Sequence, residues 1–424
     1  MAYNQSTITR ILDPIIDVNN NRVTWHLPQS TILSPDIKML NIGAVLDGGA
    51  ARTYNRFAGG LSLIKNIYLT SNGVTIDQLL DANSWIAFNE ANKSHSEAES
   101  LSRNLIGNSM GLILDDNSRI GHAILTKPFS TTLALSGKCM ISLGDLLPFL
   151  KASTMVPTTI YENLRLTIEY DTSMTIVGNV NTNSLTAMST PFLVVEEMLD
   201  LGFISKATSD YRGLGFMAIE RDQMHVDTTV ATLSGVANNE PNSFSLQSRA
   251  FQNKYVSRIV VAPKSTDADA YKYSTTFVAG GGGLGSISLL EPKFNIVVNG
   301  SNKIAGQGLV GSTEIAARLH DTWGISNTPT GAYSTGVFDG GSFYAAEKHF
   351  VGYMGWMGMT INEFVQSLYV NIDFTAQLDA SASAGTAADV LYQRMNSKYN
   401  LVAFAECRKS IVVRPDGSFM VSYM

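Results

Sequence analysis

The chain has 424 residues, 45% of them hydrophobic and only 16% charged, with a formal net charge of −6 and two cysteines. That length exceeds one ordinary core and predicts two domains of roughly 200 residues, and an acidic chain without a Lys/Arg run excludes phosphate-backbone binding as its main task. Charge below the usual quarter or so predicts a surface largely covered by other subunits, with abundant Ser, Thr, Asn and Gly as the alternative source of polarity.

The polar segment 1–20 reads as an N-terminal arm, followed by a strand at Arg22–Leu27. Its opening decapeptide lacks the basic-then-apolar order of a signal peptide. Ile37–Leu46 and Leu61–Thr70 read as strands, and Ser71-Asn72-Gly73 as a tight turn. Residues 76–107 break the β pattern. There Ser94 and Glu97 form a capping box, Ala98, Leu101 and Leu105 share a face, and Gly107 offers a stop, predicting an inserted helix. Short strands are expected at Met110–Leu114, His122–Thr126 and Thr131–Leu135. In Ile141–Tyr170, Ser142 stands three residues before Asp145, and Leu143, Leu146, Leu147 and Leu150 make one helical stripe that Pro148 should break. Leu164–Tyr170 alternates as a half-buried strand. Ser173–Val177 and Phe192–Met198 close a first domain, 21–200, and a Gly-interrupted connector follows at 201–221.

The second domain, 222–424, repeats these landmarks. Gln223–Leu233, Tyr255–Ala262 and Phe294–Val298 are predicted strands. Asn66–Leu69 and Asn295–Val298 each lead to a glycine turn, at Gly73 and Gly300, and then to a helical stretch, the second being Thr313–Trp323. Thr360 with Glu363 and then Leu368–Phe374 mirror the capping box and strand at 142–170. The cap offset, 360−142=218, exceeds the strand offset, 368−164=204, by 14 residues, which this alignment places at Ala152–Asn163 of the first copy only. Residues 379–389 are small and of low complexity. Leu401–Glu406, Ser410–Val413 and Ser418–Tyr423 are strands, the last two joined by an Arg-Pro-Asp-Gly hairpin turn at 414–417.

Little here carries chemistry. Gly280, Gly282 and Gly285 fit a G-x-G-x-x-G spacing, but strand-like residues and Pro292 follow where a dinucleotide site needs a helix. The six histidines (26, 95, 122, 225, 320, 349) fall singly, without metal-binding spacing. Glu196 and Glu197 point to opposite faces of a strand and cannot form a carboxylate dyad. Cys139 and Cys407 read as buried small residues of a protein made in a reducing compartment. Asn4, Asn92 and Asn299 lie in N-x-[ST] sequons, without meaning when no secretory signal is present. No stretch nears 18 consecutive apolar residues, so a soluble chain is expected. No catalytic, cofactor-binding or metal-ligating residue is predicted, no cofactor, and no enzyme activity.

Three passages carry a family resemblance. ISLGDLLPFL at 141–150 with VPTTIYENLRLTIEY at 156–170 resembles the strand–helix–strand passage in the first jelly roll of double jelly-roll major capsid proteins of DNA viruses. NIYLTSNGVTID at 66–77 is similar to an early strand and turn of that family, and FAECRKSIVVRPDGSFMVSY at 404–423 to its closing strands. The closest flavour is the virophage and polinton-like group. The resemblance implies an all-β fold of two tandem eight-stranded jelly rolls with short inserted helices. It also implies a homotrimeric, pseudo-hexagonal capsomer of an icosahedral shell, located in the virion after synthesis in the host cytoplasm. Implied partners are neighbouring capsomers and penton or minor capsid proteins, with a neighbour, the lattice beneath or an internal membrane within reach of the arm. The inserted helices, 75–107 and 313–323, would brace subunits or cover their own cores. The alternative is a β-sandwich carbohydrate-binding or hydrolytic protein, for which Trp25, Trp85, Trp323 and Trp356 would be the stacking residues.

Overall fold

The computed structural model describes residues 7–17, 22–40, 44–46, 61, 64–82, 85–86, 89, 140–170, 185–188, 191–226, 241–265, 289–304, 309–310, 318, 321–323, 357–376 and 399–424. The predicted elements at 94–107, 110–135 and 173–177, the glycine run at 280–285 and the segment 379–389 lie outside these residues, as do Cys139, Trp356 and His95, His122, His320 and His349.

The first half contains β1 (Thr7–Leu12), β2 (Ile15–Asp17), β3 (Arg22–His26), β4 (Ile32–Leu33), β5 (Lys38–Leu40), β6 (Ala44–Leu46), β7 (Ile64–Ser71), β8 (Val74–Leu80), β9 (Met140–Ser142), β10 (Val156–Pro157), β11 (Arg165–Tyr170), β12 (Leu185–Met188) and β13 (Phe192–Met198). Short strands in register on one neighbour form single lines. Thus β4, β5 and β6 run along β13 and β12, while β9 and β10 run along β5 and β4. Counted in chain order, eight lines make two sheets, ordered first–eighth–third–sixth and second–seventh–fourth–fifth, with β2 added beside β3.

The second half repeats this order with β14 (Gly213–Val226), β15 (Pro241–Ser248), β16 (Lys254–Ser265), β17 (Leu289–Val298), β18 (Ser301–Asn302), β19 (Leu309–Val310), β20 (Met357–Val365), β21 (Leu368–Ala376) and β22 (Tyr399–Val413). Its sheets run β14-β22-β16-β20 and β15-β21-β17 with β18 and β19, and β23 (Phe419–Tyr423) is added beside β22. Two antiparallel sheets in which the first and last lines are neighbours make a jelly roll. The chain folds as two of them in tandem.

Local chemistry explains the repeated landmarks. Asn72 and Gly73 have φ of 46° and 81°, and Asn299 and Gly300 have 52° and 77°. Both pairs adopt the two positive φ values of a type I′ hairpin turn, which Asn-Gly favours. Asn299 is also held by its side chain, which accepts from the Gln366 and Ser367 N–H groups and donates to the Phe364 carbonyl. Period-2 burial places Ile67 and Leu69 of β7 and Leu166 and Ile168 of β11 in the first core. Gly417, at φ 83°, closes the predicted hairpin from β22 to β23.

Several expectations need correction. Residues 7–12 do not trail as an arm, because β1 pairs along its whole length with Leu193–Met198 of β13. Residues 74–80 form a strand rather than the start of an inserted helix: the I′ turn sends the chain straight back along β7, and Ile76, Asp77 and Leu79 are buried there. Thr360 and Glu363 cap no helix. They belong to the continuous strand β20, where Ile361 and Val365 alternate inward and Glu363 pairs with Lys303. The connector is ordered, as helix Leu201–Asp210, capped by the Asp200 carboxylate accepting from the Phe203 N–H at 3.0 Å, with β14 starting at Gly213. Gly213 does not interrupt that strand, since its φ of 111° and close approach to the Ile411 carbonyl suit only glycine.

The predicted break at Pro148 is present: a 3-10 turn at Leu143–Asp145 precedes α1 (Pro148–Ala152), whose N1 residue is the proline. Ser142 makes no capping bond and donates instead to Asp36. The excursion lies inside the sixth strand line. From β9 to β10 the chain advances 156−142=14 residues while the paired line retreats only 38−33=5. The extra 14−5=9 residues therefore sit at 143–155, not at 152–163.

Candidate functional site: the seam between the two jelly rolls

The strands β14 and β22 are 14 and 15 residues long, more than one sandwich uses. Ala403, Ala405 and Cys407 of β22 pack in the second roll's own core, whereas Phe216 of β14 and Ile411 of β22 pack in the first roll's core with Phe149, Tyr161 and Leu147. One sheet thus closes two cores. The fifth- and sixth-line edge of the first roll docks on β14 through β8 and α1.

Three groups of side chains make this seam. The first is aromatic. Phe149 on α1 stands edge-on to Tyr161 at 5.6 Å and to Phe216 at 5.7 Å between ring centroids. Tyr161 reaches Phe419 of β23 at 5.2 Å, and its hydroxyl lies 2.9 Å from that of Tyr211. The second group joins Trp85 to Phe404 of β22 at 5.3 Å and to Trp323 at 5.4 Å. Trp323 lies under Arg258, 4.1 Å from its guanidinium, and Arg258 grips Glu406 with two bonds of 2.6 Å. Edge-to-face rings and cation–π contacts add directional energy to the area they bury.

The third group is charged and buried. Asp77 of β8 is fully buried and accepts from the Gln78 N–H at 2.9 Å and the Phe149 N–H at 2.8 Å, capping α1 from across the chain. Burial pushes its carboxyl up to about 7, against the pull of its two N–H donors and of Lys409. Lys409 of β22, 3% exposed, is lowered by burial and sustained by Asp77 and Glu220. Glu220 of β14 pairs with Lys254 at 3.0 Å and accepts from the Tyr423 hydroxyl, whose titration is raised by burial and then by Glu220. Lys254 sits over the Tyr423 ring at 4.2 Å. Two acids and two bases thus share one dry region, where unpaired charge would be costly. Nearby, Arg221 of the second roll pairs with Asp81 of the first at 3.1 Å.

Burial pushes the Cys407 thiol up to about 12, away from a thiolate nucleophile. Among the described residues no three His, Cys, Asp or Glu side chains gather to hold a metal ion, and no helix is long and apolar enough to cross a membrane. Glu196 is exposed while Glu197 turns inward to Arg10 at 2.5 Å, so the two do point apart. Trp25 and Trp85, at 0% and 5% exposure, are no sugar-stacking platforms. Of the seam residues, Trp85 and Trp323 were expected only as sugar-stacking residues and the rest carry no motif, though the bulky apolar side chains of α1 and the carboxyl of Asp77 among β8 apolar residues mark part of it.

No protein-family model matches the chain, and no curated protein matches it in sequence. Solved structures from virus particles match it in fold, and that fold is the double jelly roll. PBCV-1 VP54, in a crystal structure fitted into a cryo-EM reconstruction of the virophage Sputnik, covers 100% of this chain and 98% of its own, with TM-score 0.55 and 11% identity. The quasi-atomic model of the PBCV-1 virus capsid covers 100% and 98%, with TM-score 0.50 and 11% identity. The cryo-EM structure of the Sputnik virophage covers 99% and 88%, also with TM-score 0.50 and 11% identity.

Proposed function

We propose that the chain is a major capsid protein, a structural subunit of a viral shell and not an enzyme. The observation that carries this reading is the strand order repeated twice and fused by one seam, over a length that matches the PBCV-1 capsid protein end to end. Two jelly rolls fixed side by side give a rigid block with two similar lateral units, so three chains present six units to a hexagonal lattice. The homotrimer is the building block, with neighbouring capsomers and penton or minor capsid proteins as its partners in the virion. Synthesis in the host cytoplasm suits the buried free thiol of Cys407. The segment available to reach a neighbour, the lattice beneath or an internal membrane narrows to the residues before Thr7, because β1 is part of the sheet.

Size-exclusion chromatography with light scattering tests the reading. A stable species of about three chains is expected, growing into hexagonally packed particles visible by electron microscopy as concentration rises. A clean monomer that binds glycans would sink it in favour of a carbohydrate-binding sandwich.

A further inference from the structure

The chain has two Asn-Gly pairs, Asn72-Gly73 and Asn299-Gly300, and they close the two equivalent I′ turns. Such a pair is chemically labile, because glycine puts no Cβ in the way of its own backbone nitrogen as that nitrogen meets the asparagine side chain. Both pairs are exposed, and open space surrounds the position of the missing Cβ at both glycines. The turns therefore offer equal room for reaction. They differ in what holds the amide. The Asn299 side chain is tied to main chain: Oδ1 accepts from the Gln366 N–H at 2.8 Å and the Ser367 N–H at 3.2 Å, and Nδ2 donates to the Phe364 carbonyl at 2.8 Å. Among the described residues, the Asn72 side chain is tied to exposed side chains alone. Its Oδ1 accepts from Asn163 Nδ2 at 2.9 Å, and its Nδ2 donates to Glu162 Oε2 at a long 3.4 Å.

We propose that Asn72 is a site of spontaneous deamidation and that Asn299, in the same turn type with the same glycine after it, is protected. In the step, the Gly73 backbone nitrogen gives up its proton and bonds to Asn72 Cγ. The Cγ–Nδ2 bond breaks and Nδ2 leaves as ammonia. Water then opens the cyclic imide at either carbonyl, giving aspartate or isoaspartate. Ammonia is exchanged for water, and nothing is oxidised or reduced. Attack requires the side chain to leave its hydrogen bonds and turn toward the following nitrogen. Asn299 has one or two more bonds to give up than Asn72, which slows it about tenfold. The product also matters to the fold. It puts a new carboxylate beside Glu162 where a donor stood, and isoaspartate adds a carbon to the main chain of a turn whose register carries Ile76, Asp77 and Leu79 inward. The site needs no assembly and stands apart from the capsid reading.

The test incubates the full chain in mildly alkaline buffer and follows each turn by peptide mapping with isoaspartate-specific methylation. Conversion at 72 is expected to run roughly tenfold ahead of conversion at 299. In denaturant the two should react at comparable rates, because the folded hydrogen bonds are the difference invoked. Asn163→Gly accommodates the φ of 49° at that position and removes the bond to Asn72 Oδ1. It should speed site 72 by about fivefold and leave site 299 unchanged. Equal rates at the two sites of the folded chain, a faster reaction at 299, or a ratio that survives denaturant would overturn the proposal. So would an Asn163→Gly chain that converts at 72 no faster than wild type.

Discussion

The two jelly rolls share a strand order but differ at the positions where they meet. In the first, the sixth strand line is broken by α1, which carries Phe149 outward. In the second, the same line is the unbroken β20. The first line differs in the opposite sense, six residues in β1 against 14 in β14. One copy has been modified to project a wedge and the other lengthened to receive it. Duplication therefore supplies the frame, and the asymmetry between the copies supplies the join.

Breaking the wedge should have the largest effect. Phe149→Ala removes a fully buried ring from between Tyr161 and Phe216 and is expected to cost about 3–5 kcal/mol. Because the loss falls on the join, denaturant unfolding should separate into two transitions, and one unshifted transition would show that the rolls are not coupled there. Gly213→Ala comes next. Its Cβ would lie 1.9 Å from the Ile411 carbonyl oxygen at a φ of 111°, so a loss of about 2–3 kcal/mol is expected. Gly215→Ala, with no atom within 4 Å of its Cβ, is the control and should stay within about 0.5 kcal/mol of wild type.

Asp77 sharpens the comparison by pH. Its folded-state carboxyl titrates above the ordinary 3.8, so the protonated form is the one favoured by folding. Its contribution is fully present below 3.8 and is lost as pH rises through about 7. The fall amounts to at most about 1.4 kcal/mol per pH unit for one proton. Burial lowers Lys409 from an ordinary value of 10.5, so its own contribution is present above 10.5 and lost as pH falls through the folded value. Asp77→Asn should flatten the stability profile between pH 4 and 7 by about that slope, and a profile identical to wild type would contradict the assignment. The smallest effect tests likeness rather than difference. Gly73→Ala and Gly300→Ala should each cost about 1 kcal/mol, since both occupy the second position of an I′ turn with open space around the missing Cβ. Clearly unequal melting shifts would argue against equivalent turns.

The duplicated frame was legible because it is written in local signals. Asn-Gly after an apolar alternation fixes both I′ turns, and the predicted strand at Phe192–Met198 matches the observed bounds. What escaped was set by distant partners. Thr7–Leu12 faces water on both sides, so burial leaves no alternation to read, and its strand identity comes from pairing with β13. Thr360 and Glu363 satisfy a capping-box spacing, yet no helical stripe follows them and the β16 ladder decides their fate. The seam was hidden for the same reason: Asp77, Phe149, Glu220, Lys254, Lys409 and Tyr423 meet only through the fold, and an aspartate after a turn reads as solvated.

The sheet that closes both cores also sets an order of events during synthesis. Val226 pairs with Tyr399 and Gly213 with Val412, separations of 399−226=173 and 412−213=199 residues. Pairings this distant are slow to find. As the chain leaves the ribosome, the first roll is complete by Met198, but β14, on which its seam-facing edge docks, pairs among the described residues with β22, which arrives only near the end of translation. A nascent chain stalled before residue 399 carries a wet aromatic face that a finished one hides. That exposed face is a natural handle for chaperones, and its disappearance marks the chain as ready.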